Sequence, residues 1–178
     1  MYFIRHGQSE FNAAMHRTRT DPGIIDAPLT ERGRAEIAAA VSRVAALGIT
    51  RLISSPYRRA LQTASILAAE LGLSITADPL AGERAIYSCD IGTPLLELRL
   101  QWPLVDFSLL ERDQWWPELP ETQEELERRK DAFLARTADL PDRVTTLVAS
   151  HWYFILSATG ANLHNGEITR LGEVFLTD

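Results

Sequence analysis

Apolar positions along this chain follow two rhythms. Short, nearly continuous apolar runs at 2–5, 51–55, 74–77 and 143–150 have the length of buried strands, and the last, RVTTLVAS, is also rich in β-branched residues. Between them the spacing becomes helical. Ile37, Val41, Val44 and Leu47 recur on one face, with Thr30 placed as an N-cap and Gly48 as a stop. A second helix is predicted to start at Ser55–Pro56, run through Ala60, Ala64, Leu67 and Leu71, and close at Gly72. A third is predicted from Thr122 through TQEELERRKDAFLARTADL, with Thr122 as cap, Glu125 at the capping-box position and Leu126, Phe133 and Leu134 facing inward. Its charge run reads as a solvated face. Strands alternating with helices of this length predict an α/β fold: a three-layer α/β/α sandwich with a mostly parallel central sheet.

The stretch 80–121 breaks this rhythm. Pro94, Pro103, Pro117 and Pro120 interrupt it, and Tyr87, Trp102, Phe107, Trp115 and Trp116 concentrate there. It is too short to support a core of its own, so it reads as a small insert with short helices inside one domain spanning 1–178.

Composition narrows the function classes. With 178 residues, 46% of them hydrophobic, the chain can bury about 70% of its unfolded surface and fold alone. Its net charge of -6 argues against a nucleic-acid partner, which needs clustered excess Lys and Arg. Cys89 is the single cysteine, which excludes an intrachain disulfide and fits a reducing compartment. No apolar run approaches about 18 residues and the first residues lack a signal-peptide core, so no membrane association and a cytoplasmic location are expected.

Candidate chemistry gathers at the strand ends. The first strand ends in Arg5 and His6, the second leads into Ser55 and the Arg58–Arg59 pair, and the late strand ends in Ser150 and His151. In open α/β sheets ligands bind beyond the carboxyl ends of the strands. Two histidines and several arginines on one edge of an acidic chain call for an anion, and a phosphate group accepts hydrogen bonds from all of them. Motifs for other chemistries are missing: Cys89 lacks the arginine of a cysteine-phosphatase loop, and there is no GxxxxGK[ST], no HExxH and no His/Asp cluster at metal-ligand spacing. No metal and no cofactor are therefore expected. His16 and His164 read as structural or surface residues.

RHG at 5–7 with Asn12, DAPLTERG at 26–33, SSPYRRALQTA at 54–64, Glu83 and VASH at 148–151 resemble, in that order, the motifs of the histidine phosphatase superfamily, the phosphoglycerate-mutase-like proteins. The resemblance implies an α/β/α fold in which His6 is the nucleophile and becomes a phosphohistidine. It implies that Arg5, Arg59 and His151 hold the phosphoryl group and that Glu83 donates the proton. Arg59 rather than Arg58 matches, because it directly precedes the alanine of RA. Asn12 is expected either to donate to the phosphate or to cap a helix.

The physics of such a site agrees. His6 needs one ring nitrogen bare and the other donating to a fixed acceptor such as a backbone carbonyl, and cationic neighbours keep it neutral. Apolar neighbours Leu80, Ala81, Ala85 and Ile86 are expected to raise the pKa of Glu83; its alternative is an exposed loop residue paired with Arg84. Trp152 stands where many members have glycine, and with Tyr153 it is expected to pack in the core. Between 84 and 121 the basic residues are only Arg84, Arg99 and Arg112, too few for a mutase that must also hold a second acidic group. A phosphatase acting on a small phosphomonoester is the expected function, with a phosphotransferase or an inactive binding protein as alternatives.

Overall fold

The computed structural model describes residues 1–172. Strands β1 (Tyr2–Arg5), β2 (Arg51–Ser54), β3 (Ile75–Ala77), β4 (Val105–Asp106), β5 (Thr146–Ser150) and β6 (Ile168–Arg170) form one sheet in the order β4-β3-β2-β5-β1-β6. All neighbours pair in parallel except β6, which runs antiparallel to β1. The helices are α1 (Glu10–Thr18), α2 (Glu31–Ala46), α3 (Arg58–Leu71), α4 (Leu95–Gln101), α5 (Gln123–Arg136) and α6 (Trp152–Thr159). Among the described residues, no helix is long and apolar enough to cross a membrane.

Strand side chains alternate between two cores. Ile4, Leu52, Leu147 and Ala149 meet Ile37, Ala40 and Val44 of α2 and Ala64 and Leu67 of α3 on one face. Phe3, Ile53 and Val148 meet Leu126 and Phe133 of α5 and Phe154 and Ile155 of α6 on the other. The result is the three-layer α/β/α sandwich that the hydrophobic rhythm predicts. Phe3, Phe133 and Phe154 bind the second face through a three-ring cluster with centroids 5.4 to 6.3 Å apart. Burying each ring contributes roughly 1.5–3 kcal/mol.

The predicted caps are in place. Thr30 accepts from the Gly33 N–H, Thr122 and Glu125 form a reciprocal capping box, and Gly72 caps α3 with a positive φ. Three boundaries differ from expectation. Helix α3 begins at Arg58 rather than at Ser55–Pro56, because Ser55 and Pro56 still carry the chain out of β2. Residues 143–145 form a 3-10 turn, so β5 begins only at Thr146, and α5 ends at Arg136. The stretch 80–121 holds α4 and two 3-10 turns as expected, but its Val105–Asp106 also adds β4 to the sheet edge beside β3.

The crossovers through α2 and α3 lie on one face and those through α5 and α6 on the other. The chain therefore reverses direction around β2, β5 and β1, which opens a crevice at their carboxyl ends.

Candidate active site

The floor of this crevice is the end of β1. Pairing with β5 continues one residue past the strand, since the His6 N–H donates to the Ser150 carbonyl at 3.0 Å. The chain then turns at Gly7 against the first turn of α2. A Cβ on Gly7 would fall well inside van der Waals contact of the Gly33 carbonyl oxygen, and one on Gly33 would strike Gln8, so this backbone approach admits only glycine on both sides. The turn aims the Gly7 carbonyl at its neighbour's ring: His6 Nδ1 lies 2.7 Å from that oxygen. A carbonyl only accepts, so Nδ1 carries the proton and Nε2 keeps its lone pair. Burial, reinforced by the charges of Arg59 and Arg5, holds the His6 pKa well below 6.5. The imidazole is neutral at physiological pH.

Two guanidinium groups flank it. Arg5 Nη1 donates to the Leu163 carbonyl at 2.7 Å, while its Nε is buried without a partner. Arg59 projects from the first turn of α3 and is almost fully buried. Its Nη1 donates to the Cys89 carbonyl at 2.8 Å, its Nη2 to Asp90 Oδ1 at 3.0 Å, and its Nε to His151 Nδ1 at 3.2 Å. Its guanidinium also lies over the Tyr57 ring, 4.7 Å from the centroid. His151 Nδ1 thus accepts, and its Nε2 meets Ser55 Oγ at 2.8 Å. Burial and the charge of Arg59 lower the His151 pKa well below 6.5 as well.

Glu83 forms the opposite wall. Its Oε1 accepts from the N–H groups of Arg84 at 2.9 Å and Tyr153 at 3.0 Å, so the carboxyl group also caps the start of α6. Burial, with the negative charge of Asp90 next, pushes its pKa up to about 7. Arg129 of α5 fixes the loop that carries it. Arg129 Nη1 donates to the carbonyls of Leu80 and Gly82 at 2.9 and 2.7 Å, and Nη2 to that of Glu83 at 2.9 Å. Nε and Nη2 grip the Glu121 carboxylate at 2.9 and 2.8 Å.

Arg5, His6, Asn12, Arg59 and Glu83 together line one cavity of about 240 Å³. The family model of the histidine phosphatase superfamily (branch 1) matches residues 1–172. This chain belongs to the histidine phosphatase superfamily. It is 33% identical over 162 residues to the probable phosphoglycerate mutase GpmB of Yersinia pestis (strain Pestoides F), an alignment covering 85% of this chain and 68% of that protein. Among solved structures, a mycobacterial glucosyl-3-phosphoglycerate phosphatase complexed with VO3 superposes with a TM-score of 0.61 at 23% identity, over 88% of this chain and 77% of that one. The ecdysone phosphate phosphatase from Bombix mori, complexed with tungstate, gives 0.62 at 16% identity, over 99% and 84%. At these identities the two structures speak for the fold.

Most of the site residues expected of a histidine phosphatase converge on this cavity, but His151 stands apart. It lies behind the lining, fully buried, with both ring nitrogens engaged and its ring centroid 5.1 Å from that of His6. Asn12 takes the capping role of the two alternatives, completing the capping box with Ser9 at the start of α1, and it also lines the cavity. Arg58 lies outside the cavity, where its Nη2 donates to Gln101 Oε1 at 3.2 Å. Arg84 does not pair with Glu83; its guanidinium reaches the Glu121 carbonyl and Gln123. His16 and His164 are exposed.

Three expectations need correction or extension. Trp152 lines the cavity instead of packing in the core, because α6 starts at the crevice and its first turn faces outward; Tyr153 lines it too while also touching the core. The α5 charge run is not all solvated: the Leu126–Arg129–Phe133 spacing puts Arg129 on the buried face, and that spacing was the signal for it. Asn165 escapes sequence reasoning altogether. Its Nδ2 donates to the His6 carbonyl at 2.9 Å, and the only hint is the turn-forming Asn165–Gly166 dipeptide.

Proposed function

We propose that this protein is a phosphatase that hydrolyses a small phosphomonoester through a phosphohistidine on His6. The observation that carries the reading is the state of His6: neutral, with Nδ1 protonated and held by the Gly7 carbonyl, and flanked by Arg5 and Arg59. Nε2 attacks phosphorus as the ester P–O bond breaks, and the guanidinium groups stabilise the charge on the equatorial oxygens. Asn12 donates to the same group from the first turn of α1. Glu83, with a pKa near 7, gives its proton to the leaving oxygen. The resulting carboxylate then takes a proton from the water that cleaves the phosphohistidine, releasing inorganic phosphate. His151 supports the phosphoryl site from behind through Arg59, and a direct contact requires its Nε2 to leave Ser55.

The resemblance to a phosphoglycerate mutase keeps phosphoryl transfer as a second reading. The cavity wall argues for water as the acceptor. Beyond Arg5 and Arg59 its one basic side chain is Arg84, whose guanidinium is already committed to the Glu121 carbonyl and Gln123. The deciding experiment offers a labelled phosphomonoester with 3-phosphoglycerate as competing acceptor. Label is expected in inorganic phosphate, with an acid-labile, base-stable phosphoenzyme trapped on the wild type and absent from His6→Ala. Label on 3-phosphoglycerate would select the mutase reading, and label on serine or aspartate would remove His6 as nucleophile.

A further inference from the structure

The phosphate end of the cavity is polar, but its outer wall is not. Phe11 and Met15 come from α1, Tyr87 from the loop before α4, and Trp152 and Tyr153 from the first turn of α6. They form two aromatic pairs: Phe11 with Tyr87, centroids 5.6 Å apart, and Trp152 with Tyr153 at 4.5 Å. Three separate segments thus bring aromatic faces to one opening. Tyr87 is 39% exposed at the rim of this opening.

A polar alcohol fits this wall poorly. A substrate carboxylate would need a cation of its own, and the wall offers Arg84 alone, held by the Glu121 carbonyl at 3.1 Å and Gln123 at 3.3 Å and lying over the Tyr153 ring. The volume of about 240 Å³ lies below the roughly 300–1,000 Å³ typical of sites for drug-sized ligands, so the occupant is small.

From this wall, and resting on the phosphatase reading above, we infer that the substrate is the phosphomonoester of a small apolar alcohol bearing one flat, aromatic-sized ring, with Tyr87 and Trp152 as specificity determinants. The phosphate seats on His6, Arg5 and Arg59. The ring then stacks against Trp152 and Tyr153 or against Phe11 and Tyr87, with offset or edge-on geometry.

Benzyl phosphate and glycerol phosphate test this, because both release primary alcohols and differ little in leaving-group demand. Benzyl phosphate is expected to show about 10- to 100-fold higher kcat/KM, the gain from burying one ring. Tyr87→Ala and Trp152→Ala should each lower that ratio through KM for the benzyl ester; Tyr87 is exposed enough for its variant to fold normally. Affinities of benzylphosphonate and 2-hydroxyethylphosphonate, read by calorimetry, do not depend on turnover. Equal affinities, or a glycerol phosphate rate matching the benzyl one, would overturn the aromatic site. A retained benzylphosphonate preference with no phosphate released from any ester would overturn the phosphatase reading and leave the aromatic site standing.

Discussion

Arg59 donates its Nε–H to Nδ1 of His151 at 3.2 Å, so one buried side chain sets the tautomer of another. The same guanidinium reaches the Cys89 carbonyl and Asp90, which ties α3, β5 and the insert to one planar group. Arg59→Ala should therefore cost on the order of 10² or more in kcat/KM, as for loss of a preorganised donor to the transition state. It should also destabilise the fold by about 3–5 kcal/mol, because Asp90 is left charged and buried. Arg59→Lys should restore little, since an ammonium cannot make three fixed in-plane contacts. Arg58→Ala should be mild in both respects; steady-state kinetics and urea unfolding rank the three variants.

The pH dependence follows from His6 and Glu83. With Glu83 pushed up to about 7, the protonated form needed to assist the leaving group is lost as pH rises through that value, so turnover of an alkyl phosphate should fall there. The acid limb should lie well below 6.5, where His6 finally protonates. Glu83→Gln should remove the alkaline limb and depress glycerol phosphate hydrolysis more than that of p-nitrophenyl phosphate, whose leaving group departs unaided. The linkage to stability has a fixed sign. A carboxyl raised from 4.5 to about 7 binds its proton more tightly in the folded state, so its contribution is complete below 4.5 and is lost as pH rises to 7. The stability of Glu83→Gln relative to wild type should rise across that window, as measured by denaturant titration at several pH values. No such trend would place Glu83 in a wetter setting than its neighbours imply.

Arg129 and Glu121 form a buried, two-pronged ion pair whose guanidinium also holds three carbonyls of the loop carrying Glu83. Arg129→Met leaves the buried Glu121 carboxylate without its cation, held only by the Ala85 N–H at 3.1 Å, and strips those carbonyls of their donor, and should cost about 3–5 kcal/mol. A positioning role predicts more than lost stability. At a temperature where both proteins are folded, kcat for glycerol phosphate should drop while KM changes little, and the alkaline limb of the pH profile should move.

Gly7→Ala should be among the most damaging small substitutions in the chain. The added methyl meets the backbone of Gly33, which cannot swing aside as a side chain can. A loss of about 3 kcal/mol or more is expected, at or beyond the upper end of ordinary overpacking. Survival of wild-type stability in urea titration would mean that the β1–α2 approach is looser than its geometry.

The layers were legible in the sequence wherever apolar spacing and caps agreed, as in α2 between Thr30 and Gly48 and α5 behind Thr122. Elements without periodicity were not. Helix α6, WYFILSAT, is apolar almost all round and follows β5 after His151 alone, while β4 and β6 are two and three residues long. In the site, Arg5, His6 and Arg59 were legible because they end a strand or open the helix after one, whereas Glu83 sits in a loop and was marked only by its place in the order of the family's motifs. Asn165 acts on a main-chain carbonyl, where any donor at the right distance serves, so only its turn-forming dipeptide hints at it, whereas Arg129 was marked by its helical spacing from Leu126 and Phe133 and masked by the charge run around it. Trp152 looked like core because hydrophobicity measures what a side chain avoids, not which opening it faces.

The floor of the cavity joins the two ends of the described chain. Arg5 bonds to the Leu163 carbonyl across 158 residues, His6 receives Asn165 across 159, and β1 pairs with β5. Contacts of such long range carry the largest loop-closure cost and form late when a protein folds. Helices α2 and α3 can assemble on their neighbours long before His6 meets its surroundings. Turnover is thus a clock for assembly: in refolding, catalysis should return after the helical signal does, once β1 and the 163–170 segment have docked.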